Sequence, residues 1–206
     1  MGSKVNHNFL QNMSPEAAWL VGLISADGYI LKNRHAVSFH MADDHLLKQV
    51  KDISDFEGNI HKTKENTCRM DIFSEQWVRN LRFLGIRNKK SLTLELPHID
   101  PHVFPDFVRG YFDGDGSFWN QKNPLRTNKT LRSQIIGSVP FVTQLSRELE
   151  QWGFPKRTVH PAGNAGKIQY AHYDSVKLGE LMYYQNQGPR HERKCKLWSN
   201  ARRKGK

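Results

Sequence analysis

The sequence predicts an α+β protein of two similar halves, each running helix, hairpin, helix, hairpin, helix. Three observations lead there. The stretch Leu20-Val-Gly-Leu-Ile-Ser-Ala-Asp-Gly28 returns as Val108-Arg-Gly-Tyr-Phe-Asp-Gly-Asp-Gly116, with Gly22 and Gly110, and Asp27 and Asp115, each 88 positions apart. After each copy, strand-like and helix-like patterns follow in the same order. Between the copies, Pro97 and Pro101, with Pro105 just beyond, interrupt any regular pattern. Residues 93–104 are therefore read as a linker between an N-terminal half, 1–92, and a C-terminal half, 105–206.

Ser14-Pro15-Glu16 reads as a helix start: serine caps, proline suits the first turn, and glutamate faces the positive end of the helix dipole. That helix should close near Asp27-Gly28, where glycine suits a left-handed closing position. Pro105-Asp106 and Gly116 bracket the second copy in the same way. Residues 29–41 and 117–136 then alternate around a turn, as hairpins do. Helical patterns follow, from His45 to Gly58 and from Phe141 to Gly153. A second hairpin comes next in each half. Residues 60–64 and 67–73 flank Glu65-Asn66, and residues 157–160 and 167–172 flank a loop at 161–166. Each half closes with a helical stretch, 75–84 and 175–184, and a basic segment, 87–90 and 190–196.

Across 206 residues, 31 Lys+Arg stand against 20 Asp+Glu, a formal charge of +11 that directs attention to nucleic acid first. A hydrophobic share of 37% and an aromatic share of 11% support a folded core rather than a disordered chain. No apolar run approaches the roughly 20 residues that cross a bilayer, and residues 1–10 hold no apolar signal segment. No membrane partner is expected, and the expected location is the cytoplasm or an organellar matrix. Cys68 and Cys195 lack any Cys-x-x-Cys partner, which removes a cysteine zinc site and argues for a reducing compartment. Between Arg190 and Lys206 eight Lys or Arg face Glu192 alone, so most of the surplus charge sits in a tail expected to be solvated and partly disordered.

The repeated segment carries the chemistry. Gly22 with Ala26, and Gly110 with Gly114, recur four apart and so share one helix face, where another backbone can come close. Glycine inside a helix costs up to about 1 kcal/mol relative to alanine, so its presence in both copies asks for a packing reason. The economical one is that the two helices pack on each other, bringing Asp27 beside Asp115. Two carboxylates at two negative helix ends need a counter-charge, and a divalent cation supplies one. Carboxylate and carbonyl oxygens, here of Asp27, Asp115, Ala26 and Gly114, are the ligand type Mg²⁺ takes, with room for water and phosphate.

These two segments resemble the LAGLIDADG motif, and the order of elements around them is similar to that of monomeric, two-repeat LAGLIDADG homing endonucleases over nearly the whole chain. The resemblance implies αββαββα halves with saddle-shaped antiparallel sheets, motif helices packed at the centre, and a long double-stranded DNA target read in the major groove. It implies Asp27 and Asp115 as the catalytic, metal-binding acids, Mg²⁺ as cofactor with Mn²⁺ or Ca²⁺ able to replace it in binding, and hydrolysis of both strands to short 3′ overhangs. Ser25 departs from the motif where the second copy keeps Asp113, which reads as a difference in helix packing or capping. By the same resemblance Lys90 and Lys194 are the basic residues near the metals, with Arg87, Lys89 and Arg193 competing. Asp43 and Ser138 are expected either near active-site waters or as helix N-caps. An RNA maturase or a DNA-binding regulator on the same fold, without cleavage, is the competing reading; the presence of both acids favours the nuclease.

Alternation also suggests which strand residues face DNA. Val37, Phe39 and Met41 should point to the core, leaving Ser38 and His40 on the other face; Cys68, Met70 and Ile72 inward leave Thr67, Arg69 and Asp71. The second half offers Lys122, Arg132, Gln134, Lys167 and Gln169, whose donors suit guanine, adenine and phosphate edges. His35, His40 and His45 recur five apart, which fits no single helical face. Gly163-Asn-Ala-Gly-Lys167 lacks the first glycine of a phosphate loop, where Pro161 stands. The five tryptophans are scattered singly, as core residues are.

Overall fold

Helix α1, Pro15–Ala26, is apolar all round, and Ala17 through Ser25 are buried without a break. A helix with no polar face belongs at the centre of a protein. Its partner is α4, Phe104–Asp115, buried from Phe104 through Asp113. The two are packed directly on each other, and their glycines are the reason. A Cβ at Gly22 would lie 2.2 Å from the Phe107 carbonyl oxygen, and one at Gly110 would lie 1.9 Å from that of Trp19. Trp19 and Phe107 are themselves repeat-related, so the contact is reciprocal. Ser14 caps α1 by accepting from the Ala17 N–H at 3.2 Å.

The computed structural model describes residues 3–32, 34–88, 90–123, 126–184 and 187–204. In the first half α1 leads into β1 (Gly28–Ile30), β2 (Ala36–Met41), α2 (Asp44–Ser54), β3 (His61–Lys62), β4 (Cys68–Phe73) and α3 (Glu75–Phe83), closed by a 3₁₀ turn at Lys90–Leu92. In the second, α4 leads into β5 (Gly116–Asn123), β6 (Arg126–Gly137), α5 (Val139–Gln151), β7 (His160–Ala162), β8 (Ala165–Tyr170) and α6 (His172–Met182), followed by α7 (Glu192–Lys204). The sheets have the same antiparallel topology, β1-β2-β4-β3 and β5-β6-β8-β7. The fold is thus α+β with two αββαββα halves. Among the described residues no helix is long and apolar enough to cross a membrane.

Five expectations need correcting. Neither motif helix closes on a left-handed glycine: Asp27 caps α1 at φ −99° with Gly28 already opening β1, and Gly116 follows α4 in extended conformation at φ −93°. Helix α2 stops at Ser54, short of Gly58, because Asp55 takes the left-handed closing position itself at φ 51°. The second hairpin of the C-terminal half turns tightly at Gly163-Asn164, with Pro161 and Gly166 paired across the strands, so the loop expected at 161–166 is mostly strand. Helix α6 starts at His172, before Ser175. The basic tail is a helix through Lys204 whose Lys194, Cys195 and Trp198 are buried. Trp198 packs on Gly179 of α6, where a Cβ would meet the indole at 2.1 Å. An exposed charge run therefore conceals an apolar stripe at helical spacing; Gly205 and Lys206 lie outside the described residues.

Candidate catalytic centre and nucleic-acid face

Asp27 closes α1 as its C-cap and Asp115 is the last residue of α4. The small residues that let the helices touch also bring these ends together. A Cβ at Gly114 would lie 2.5 Å from the Ala26 Cβ and 3.1 Å from Asp27 Oδ2, so the α4 backbone runs beside the Asp27 carboxylate. Burial raises the Asp27 carboxyl above its ordinary range. Asp115 rises to about 6, first through burial and then through the Asp27 charge. Two like charges in a half-buried cleft repel, and the Asp27 charge makes Asp115 the harder of the two to ionise.

Two lysines answer them. Lys90 Nζ donates to the Ala26 carbonyl at 3.0 Å, and Lys194 Nζ donates to those of Phe112, Asp113 and Gly114 at 2.8, 2.7 and 3.2 Å. Each ammonium caps the negative end of one motif helix, where the last carbonyls lack intrahelical partners. Burial pushes both lysines down to about 8, against the pull of the nearby carboxylates. Lys194 is the larger pull on Asp27, and Lys90 the larger on Asp115. The counter-charge that the acid pair needs is therefore supplied partly by the chain itself.

The donor set suits a hard divalent cation. Among the described residues no group of three or more His, Cys, Asp or Glu could hold a metal. The protein offers two carboxylates plus the carbonyls of Ala26 and Gly114, each with a lone pair to spare, and the remaining oxygens must come from water or a ligand. Such a half-filled oxygen shell is what Mg²⁺ accepts, since it gives up its waters reluctantly.

Asp43 and Ser138 are both helix N-caps. Asp43 accepts from the His45 N–H at 2.9 Å and meets His191 Nε2 at 3.3 Å. Ser138 accepts from the Phe141 N–H at 3.2 Å and donates to the Leu94 carbonyl. Their oxygens are committed to these contacts. Arg87 and Arg193 are exposed, and Lys89 lies outside the described residues.

On the outer sheet faces, His40 pairs with Arg69 and Ser38 with Asp71 in register, and Arg132, Gln134, Lys167 and Gln169 share one face. Two positions differ from expectation. Ser38 is fully buried and donates to Asp71 Oδ1 at 2.5 Å, beneath the Asp71–Arg69 pair, so it has the right face and no access. Lys122 is out of phase: it pairs with Lys129, on the face of Phe118, whereas Trp119 pairs with Arg132. Tyr29, 38% exposed beside Ser38, and Trp119, paired with Arg132, lie on these faces too; an aromatic side chain gives period-two alternation no outward signal. Asp113, opposite Ser25 in the motif, is buried and accepts from Trp19 Nε1 at 2.9 Å, while Ser25 Oγ donates to its own helix at the Val21 carbonyl.

Residues 14–92 match the family model described as a LAGLIDADG-like domain. No curated protein matches the chain in sequence. Solved structures do match in fold. They include the LAGLIDADG meganuclease I-AabMI bound to uncleaved DNA, at TM-score 0.63 and 14% identity, covering 93% of this chain and 90% of that one. The LAGLIDADG homing endonuclease I-GzeII in complex with its DNA target gives 0.62 and 14%, with coverages of 94% and 91%. Meganuclease I-SmaMI bound to uncleaveable DNA gives 0.62 and 15%, with 94% and 92%; that protein is also known with uncleaved DNA and calcium ions. The N-terminal half thus carries a LAGLIDADG-like domain, and the chain as a whole has the fold of LAGLIDADG meganucleases.

Proposed function

We propose that the protein is a site-specific homing endonuclease that hydrolyses one phosphodiester on each strand of a long double-stranded DNA target, in a reaction dependent on a divalent metal. The observation that carries this reading is the acid pair, Asp27 and Asp115, raised by burial and flanked by Lys90 and Lys194. A protein that merely bound nucleic acid would gain nothing from two carboxylates crowded at a helix junction, where they repel both each other and a phosphate.

In this reading Asp27 and Asp115, with the carbonyls of Ala26 and Gly114, hold Mg²⁺, which Mn²⁺ or Ca²⁺ can replace in binding. The metal supplies charge neutralisation at the phosphate and a more acidic bound water. Lys90 Nζ would donate to a phosphate oxygen as negative charge builds on it, while Lys194, whose three N–H bonds already go to the Phe112, Asp113 and Gly114 carbonyls, would contribute its charge. Asp43 and Ser138 act from the helix caps, at one remove from the acids. The sheets enter the major groove, with His40, Thr67, Arg69 and Asp71 reading one half of the target and Arg132, Gln134, Lys167 and Gln169 the other. The protein works as a monomer, since both motifs are on one chain, divided at 1–92, 93–104 and 105–206. Two buried free cysteines, Cys68 and Cys195, suit a reducing compartment, cytoplasm or organellar matrix.

The test is cleavage. Sites are selected from a randomised duplex library with Mg²⁺, and Asp27→Asn and Asp115→Asn are then assayed on the selected site. Retained specific binding with cleavage abolished supports the reading. Cutting at the wild-type rate by either variant removes the metal assignment, and binding without cutting by the wild type favours the maturase or regulator class.

A further inference from the structure

Each lysine at the centre is carried by a segment that the opposite half holds in place. Gln49 of α2, in the first half, pairs with the Arg190 backbone in both directions: its Nε2 donates to the Arg190 carbonyl at 2.9 Å and its Oε1 accepts from the Arg190 N–H at 2.8 Å. Arg190 lies four residues before Lys194, just ahead of α7. Gln144 of α5, in the second half, accepts from the Leu96 N–H at 2.7 Å, just beyond the 3₁₀ turn that carries Lys90. Gln49 and Gln144 are 95 residues apart, the same separation as the helix caps Asp43 and Ser138. Those caps repeat the crossing, Asp43 on His191 and Ser138 on the Leu94 carbonyl. Leu94 in turn donates its N–H to the Lys90 carbonyl at 2.8 Å, so the grip reaches the lysine residue through one backbone bond.

We propose that Gln49 and Gln144 are reciprocal positioning residues for catalysis: Gln49 sets Lys194 and Gln144 sets Lys90, each across the boundary between halves. This rests on the nuclease reading above. A side-chain amide bonded to both the N–H and the carbonyl of one residue fixes that backbone in rotation as well as position, as a strand neighbour does. Each segment is also anchored on its own half. Arg109 Nε donates to the Pro189 carbonyl at 3.0 Å, and Asn88 Nδ2 donates to the Ile30 carbonyl at 3.0 Å. Held from both sides, each lysine reaches its motif-helix end in the correct place only when the halves are docked. The glutamines touch neither acid and are not catalytic residues; they act through the lysines.

Plain interface contacts would weaken both halves alike, whereas positioning acts on one centre at a time. Cleavage of a selected target duplex, labelled separately on each strand, distinguishes the two. Lys90→Met and Lys194→Met first assign a strand to each lysine. Gln49→Leu is then expected to slow the strand assigned to Lys194 by about tenfold or more, and Gln144→Leu the strand assigned to Lys90, because small misplacement of a catalytic group is that costly. The other strand and the affinity for the target should change less than about twofold, within the scatter expected of independent sites. Gln49→Asn and Gln144→Asn, polar but one methylene short, should give the same strand bias if the leucine variants fail to fold. Equal slowing of both strands, the opposite strand bias, or lysines that serve both strands alike overturns the inference while leaving the nuclease intact. A wild-type protein that cuts neither strand overturns the nuclease reading and takes this one with it.

Discussion

Trp19 Nε1 donates to Asp113 Oδ2 at 2.9 Å across the junction of the two motif helices, and no symmetry-related copy of this bond exists. The repeat-equivalent of Trp19 is Phe107, and that of Asp113 is Ser25, whose hydroxyl turns back onto its own helix. The duplicated interface therefore carries one polar lock on one side. Burial raises the Asp113 carboxyl to about 6, with the Trp19 hydrogen bond and the Lys194 charge opposing.

Trp19→Phe is expected to destabilise the protein by about 2 kcal/mol, since a buried carboxylate that loses its donor keeps its desolvation cost. The double variant Trp19→Phe/Asp113→Ser, which copies the other side, should recover part of that loss. Chemical denaturation of the single and double variants measures it. Equal stabilities for Trp19→Phe and wild type would mean that the bond contributes nothing net.

The helix junction itself makes a sharper prediction. Gly110→Ala puts a methyl 1.9 Å from the Trp19 carbonyl oxygen and Gly22→Ala puts one 2.2 Å from that of Phe107, both against backbone that has nowhere to go. Each should cost about 3 kcal/mol or more, in the range of severe overpacking. Gly163→Ala meets nothing within 4 Å but sits at φ +62°, so it should cost only about 1 kcal/mol. Thermal unfolding of the three variants gives the order directly.

How far the sequence carried these conclusions depends on what kind of fact each one is. Asp27 and Asp115 were legible because duplication states the same residues twice, and the glycines legible because helical spacing leaves them no other use. Period-two alternation assigned the sheet faces but says nothing of depth, so Ser38 was placed outward when the Arg69–Asp71 pair covers it. Lys122 has the charge that suits DNA but not the phase, since Trp119 is the β5 residue paired with Arg132. The tail helix has a signal in Cys195, Trp198 and Ala201, hidden by the basic residues around them, Arg193, Lys194, Lys196, Arg202 and Arg203. Gln49 and Gln144 had none: an amide that grips a distant backbone looks like any exposed helix residue until the halves are docked.

The sheet faces predict a difference in salt dependence. Lys167 and Arg132 share a face with Gln134 and Gln169, whereas Lys122 points the other way. If Lys167 meets a phosphate, Lys167→Ala should lower the slope of log affinity against log salt by about 0.9 and weaken all sites alike. Gln134→Ala should instead relax the choice of base at one position. Lys122→Ala should change neither. Binding titrations over a range of salt separate the three, and a Lys122 effect as large as that of Lys167 would reverse the assignment of faces.

The acid pair makes stability depend on pH in a direction that a metal should reverse. Asp115 has a folded value of about 6, above its ordinary 3.8, and Asp27 is shifted the same way. Between about pH 4 and pH 6 the folded protein thus holds more protons than the unfolded chain, so metal-free stability falls as pH rises through that window and stays reduced above it. Asp115→Asn removes the ionisation along with the repulsion of Asp27. It should raise metal-free stability at neutral pH by on the order of 2 kcal/mol, while changing little at about pH 4, where the wild-type group is already protonated when folded. Millimolar Mg²⁺ acts oppositely, because it binds the ionised pair: it should stabilise the wild type more at neutral pH than in acid, and leave Asp115→Asn nearly unmoved. Unfolding curves at the two pH values, with and without Mg²⁺, decide the matter. A stabilisation by Mg²⁺ that is equal in wild type and variant would place the ion somewhere other than between these two carboxylates.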